Sequence, residues 1–115
     1  MKLKMLLLPA LLAPALQAEP FFSEYVEGSS NNKALEIYNP SNSPLNLSGY
    51  SIKVFSNGAV TAGKTVNLSG EIAAKSTLVL VDTSAIQELK DKQTSASLTL
   101  GSGNFNGDDA VALFN

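Results

Sequence analysis

Residues 23–39 read SEYVEGSSNNKALEIYN, and the reading of the rest of the chain starts from how that stretch folds. Two short strand patterns, residues 21–27 and 34–38, flank Gly28-Ser29-Ser30-Asn31-Asn32, whose residues accept positive φ or bond back to their own backbone. The pattern predicts a hairpin. In its second arm Leu35 and Ile37 point one way while Glu36 and Tyr38 point the other, as in a strand with one buried face. Asn39 and Pro40 end that strand, because proline has no amide hydrogen for a ladder. In the first arm, alternation puts Glu24 on the core side, opposite to Glu27.

Downstream, Pro40-Ser41-Asn42-Ser43-Pro44 is a loop with φ fixed by proline at both ends. Leu45 and Leu47 lead through Ser48-Gly49 into a strand over residues 50–55, with Ile52 and Val54 assigned to the core. Asn57-Gly58 is a hairpin-turn signal. It leads into a weakly alternating strand over residues 60–68, with Val66 and Leu68 on one face and Gly63 and Gly70 bending it. Leu78-Val79-Leu80-Val81, bounded by Ser76-Thr77 and Asp82-Thr83, suits a central strand buried on both faces. One helix is predicted over residues 85–92, with Ser84 as N-cap, Gln87 at capping-box spacing, and Ile86 and Leu89 docking it. The chain closes with residues 97–100, a turn-rich stretch over 101–109, and a last strand over 110–114. The class is all-β.

Upstream, Lys2 and Lys4 precede an apolar run over residues 5–16 that contains Pro9 and Pro14, with small residues at Ala15 and Ala18. This is the pattern of a secretory signal peptide over residues 1–18, cut after Ala18. The run is shorter than the roughly 20 residues a membrane-crossing helix needs. The expectation is therefore a secreted, extracellular chain that does not span the membrane, with one domain over residues 19–115.

Composition narrows the chemistry. The chain of 115 residues contains no cysteine, histidine or tryptophan, and all eight of its basic residues are lysine. Thiol chemistry, zinc–thiolate sites and histidine-based nucleophilic triads are excluded, and no arginine is present to clamp a phosphate in bidentate fashion. Loss of Lys2 and Lys4 with the leader leaves six lysines against ten acidic residues, a net charge of −4. Such a surface repels phosphate backbones, so no direct nucleic-acid binding is expected.

Two groups of carboxylates remain as candidates. Asp108 and Asp109, with asparagine carbonyls nearby in residues 104–109, are the oxygen ligands a calcium ion takes, although EF-hand spacing is absent. The competing reading is that they bond the backbone of their own turn. Glu24, Glu27 and Glu36 are acidic residues of the hairpin; a cross-strand partner such as Lys33, or solvent, is their expected fate, and no catalytic residue is assigned. Asn46-Leu47-Ser48 and Asn67-Leu68-Ser69 match the glycosylation acceptor pattern but read as turn and strand-edge residues.

FSEYVEGSSNNKALEIYN, followed by Leu47-Ser48-Gly49-Tyr50 and by Asn106-Gly107-Asp108-Asp109-Ala110-Val111, resembles the bacterial form of the lamin-tail domain over residues 21–115. The resemblance implies an immunoglobulin-like β-sandwich. It also implies a place just after a signal peptide and ahead of a nuclease domain of the endonuclease/exonuclease/phosphatase class. On that expectation the chain is a non-catalytic N-terminal accessory or binding module of an extracellular, metal-dependent nuclease. Its partner is the downstream catalytic domain of the same polypeptide or a surface ligand. The alternative is a free-standing secreted binding or adhesion domain. Members of the resembled family continue past the Gly-Asp-Asp strand into a further strand, so the chain is expected to be a fragment, with an edge left open for pairing.

Overall fold

The computed structural model describes residues 18–115; the leader expected over residues 1–18 lies, but for Ala18, outside the described residues. The hairpin forms as its sequence predicts. Strand β1 (Phe21–Glu27) pairs antiparallel with β2 (Lys33–Tyr38), and Gly28 closes the turn by donating its amide to the Asn32 carbonyl at 2.8 Å. A Cβ at Gly28 would stand 2.9 Å from that same oxygen, which is why glycine occupies the position. Six further strands follow: β3 (Leu45–Asn46), β4 (Ser51–Phe55), β5 (Lys64–Asn67), β6 (Glu71–Ile72), β7 (Thr77–Val81) and β8 (Ala110–Phe114). Their antiparallel pairings give a three-stranded sheet β1-β2-β7, a second sheet β5-β4-β8 and a short ribbon β3-β6.

Alternation carries the core. Leu35, Ile37, Leu78 and Leu80 from the first sheet meet Ile52 and Val54 from the second, with Leu47, Leu68 and Ile72 filling in from the ribbon side. In β8, Val111 and Leu113 lie opposite Val54 and Ile52 and pack against the same cluster. Phe105 is the largest fully buried side chain, yet it sits in a loop between β7 and β8. It enters the core from outside the strand pattern, stacked on Tyr25.

Three local expectations are corrected. The strand expected over residues 60–68 shrinks to Lys64–Asn67. Asn57 and Gly58 do take positive φ, but the turn opens into a longer loop that leaves Val60 96 % exposed. The apolar run of β7 is buried on both faces, yet β7 is an edge strand and β2 is the central one. Its free edge is sealed by residues 93–101. Val79 donates to Thr94 Oγ1 at 2.7 Å and accepts from the Thr94 amide at 3.1 Å, and Val81 accepts from the Leu100 amide at 3.1 Å. Irregular chain thus satisfies the ladder groups that a neighbouring strand would otherwise take.

The predicted helix is a single turn, α1 (Gln87–Lys90), and Ser84 does not cap it. The Ser84 amide instead donates to Asp82 Oδ1 at 2.7 Å, and Asn32 of the hairpin turn accepts the Ile86 amide at 2.9 Å. Ile86 is exposed, whereas Ala85 and Leu89 pack beneath α1 against Ala34, Val26, Val79 and Val81.

Candidate functional site

The hairpin that organises the chain also shapes a groove on its outer face. Pairing slips by one residue between Phe22 and Glu24, where Ser23 is inserted as a bulge. Before the bulge Phe22 faces the sandwich core opposite Ile37; after it, Tyr25 faces the core opposite Leu35. Glu24 therefore points to the outer face of the sheet, not to the core side that simple alternation gave it. It lies directly opposite Glu36, and Ser23 Oγ donates to Glu36 Oε1 at 2.7 Å.

Glu24 and Glu36 border a groove of about 220 Å³ on this outer face. Val26, Ala34 and Val79 form its floor, and Leu89 and Lys92 form the opposite wall. Like charges set directly across a strand pair repel, so this pairing weakens the sheet where it occurs. The arrangement offers an apolar floor beside a doubly acidic rim, with Lys92 on the opposite side.

Glu27 does not join this pair. It lies on the other face, where its Oε1 accepts the Tyr25 hydroxyl at 2.8 Å. Burial of the phenol, the hydrogen bond to Glu27 and the negative charges of Glu27 and Asp109 push the Tyr25 pKa up from 10.0 to about 12. Lys33 lies directly opposite Glu27 in the β1–β2 register, as the cross-strand neighbour that the sequence suggested. It is buried, and its ammonium group donates to the Gly28 carbonyl.

Asp108 is exposed, and Asp109 is built into its turn. Asp109 Oδ2 accepts the Asn106 amide at 3.0 Å and its Oδ1 accepts the Asn57 amide at 3.1 Å, tying residues 104–109 to the turn after β4. Among the described residues, no group of three or more acidic, histidine or cysteine side chains is placed to hold a metal ion. Asn46 Oδ1 accepts the Ser48 amide at 2.8 Å, as a turn asparagine does.

One polar centre escaped the sequence reading. Asn39, read only as a strand terminator, is 1 % exposed. Its Nδ2 donates to the carbonyls of Ser43, Ile72 and Ala73 at 2.9, 3.0 and 3.2 Å, and its Oδ1 accepts from the Ser41 amide and hydroxyl. The Asn-Pro-Ser order was its one visible sign, an asparagine able to bond two residues ahead.

An antiparallel β-sandwich built on this hairpin agrees with the family comparison, in which the lamin tail domain model matches residues 14–115. The chain belongs to the lamin tail domain family. No curated protein and no solved structure matches it significantly. The lamin tail domain is a non-catalytic, immunoglobulin-like, binding-type domain. No helix among the described residues of this lamin tail domain is long and apolar enough to cross a membrane.

Proposed function

We propose that this lamin tail domain is the recognition module of a secreted enzyme, a metal-dependent nuclease on the same polypeptide, and that it tethers the catalytic domain to a partner protein. The observation that carries the recognition reading is the groove between Glu24, Glu36 and Leu89. Its occupant is a protein segment with one apolar side chain bordered by a lysine or arginine. The apolar group covers Val26, Ala34 and Val79, and the cation answers the two carboxylates that the fold leaves side by side. Nucleic acid is a poor occupant, because the described chain is acidic and carries no arginine.

The support for secretion is the Lys-then-apolar start of the sequence, and the support for the nuclease is the resemblance carried foremost by residues 22–39. Two experiments test the reading. Sequencing the locus past Asn115 should find a histidine- and aspartate-bearing nuclease domain in the same frame; its absence overturns the tether. Immobilised peptides bearing one leucine flanked by lysines or by glutamates should be retained by the protein only in the lysine series, and Val79→Asp should abolish retention. Equal retention of both series overturns the groove.

A further inference from the structure

Asp82 is wholly buried at the end of β7, where two groups meet it. Asn104 Nδ2 donates to its Oδ2 at 2.8 Å, and the Ser84 amide donates to its Oδ1. A fully buried carboxylate is costly unless something answers its charge. The cation that approaches is Lys64, which shares the inward face of β5 with half-buried Val66 while Thr65 and Asn67 are exposed. Its Nζ donates to the Ser102 carbonyl at 2.9 Å, and Asn104 Nδ2 also donates to the Gly101 carbonyl at 3.2 Å. Amine and amide are thus held on neighbouring carbonyls of one turn. Gly101 takes φ +69°, and Lys64 Nζ lies 3.4 Å from where a Cβ would stand, so the amine packs directly against this turn.

A structural clamp would satisfy all its polar atoms. This one does not: Asn104 Oδ1 is buried and meets no donor among the described residues. Burial also lowers the Lys64 pKa, against the opposing pull of Asp82, and so favours the neutral, nucleophilic amine.

We propose that Lys64, Asp82 and Asn104 form an intramolecular isopeptide bond, the Lys64 Nζ bonded to Asn104 Cγ. The neutral amine attacks the amide carbon, and Asp82 takes the proton that the amine loses and returns it to the departing nitrogen. The Nζ–Cγ bond forms, the Cγ–Nδ2 bond breaks, and one ammonia leaves; no oxidant or reductant is needed. The fold supplies proximity, holding Lys64 Nζ and Asn104 Nδ2 on the neighbouring Ser102 and Gly101 carbonyls beside the wholly buried Asp82. The bond joins β5 of one sheet to the loop that follows β7 of the other, cross-linking the sandwich.

The test is a tryptic digest and mass measurement of the full chain. The expected result is a mass lower by one ammonia, with residues 54–75 covalently joined to residues 93–115, and the loss of both signatures in Lys64→Arg and in Asn104→Ser. Two results overturn the proposal. One is wild-type protein at its full sequence mass with the two peptides separate, which leaves Asp82 and Asn104 as a hydrogen-bonded clamp only. The other is an ammonia loss that persists in Lys64→Arg with separate peptides, which assigns it to succinimide formation at Asn57-Gly58 or Asn106-Gly107.

Discussion

The rings of Tyr25 and Phe105 stack with centroids 4.7 Å apart and planes inclined by 30°. Tyr25 lies on an edge strand and is 46 % exposed, while Phe105 is buried to 1 %. The pair pins β1 to the loop before β8 and closes one end of the sandwich. Phe105→Ala should cost about 3–5 kcal/mol, the range for emptying a buried aromatic site. Urea unfolding of wild type and variant measures it, and a loss below about 1 kcal/mol would mean that the loop is not anchored in the core.

The same tyrosine makes stability depend on alkaline pH. Its pKa is near 10.0 in the unfolded chain and about 12 in the fold. Below pH 10 both states hold the proton and the stabilising contribution is complete. Between 10 and 12 only the folded state holds it, so stability falls as pH rises through that window. Tyr25→Phe should flatten the fall. Because the ring is 46 % exposed, solvent screens the effect and a change of slope is the expected signal. Thermal midpoints of both proteins across pH 9–12 provide the readout.

Asn39 offers the sharpest single-site test of buried polar bonding. Removing its amide takes a donor from the Ser43, Ile72 and Ala73 carbonyls and an acceptor from the Ser41 amide and hydroxyl. Asn39→Ala should therefore destabilise the fold by about 2–4 kcal/mol, more than one ordinary hydrogen bond is worth. Asn39→Asp should fare no better, since it replaces a donor to three carbonyls with an acceptor. Chemical denaturation of the two variants distinguishes this hub from a dispensable turn residue.

Glu24 and Glu36 set up an opposition between stability and binding. Relieving their repulsion with Glu24→Gln should leave stability unchanged or raise it by about 0.2–1 kcal/mol, as expected for a cross-strand pair. The same change should weaken retention of the lysine-flanked leucine peptides. A variant that loses stability instead would show that Glu24 is held by a favourable contact.

Asp109 receives two backbone amides, so Asp109→Ala should cost about 1–3 kcal/mol by leaving the Asn57 and Asn106 donors short of an acceptor. The loss should be equal in calcium and in chelator. A stabilisation of wild type that appears only with calcium, and disappears in this variant, would assign the Asp108–Asp109 turn to metal binding.

Sequence alone determined what depends on neighbours along the chain. The hairpin arms, the turn between them, the inward faces of β2 and β4, and the double burial of the Leu78–Val81 run all follow from alternation and turn chemistry within a few residues. The absence of histidine, cysteine and arginine likewise set the chemistry that the chain could not perform. Tertiary structure decided what depends on residues brought together from afar. A bulge of one residue reversed the face of Glu24 and put it beside Glu36. The loop over residues 93–101 made β7 an edge strand that is nevertheless sealed. Phe105 took its core position from a loop, with no strand pattern to mark it. Lys64, Asp82 and Asn104, far apart in the chain, came to share one turn because two sheets close over it. Alternation states which side of a strand is apolar, but only packing states which strand, loop or charge lies across from it.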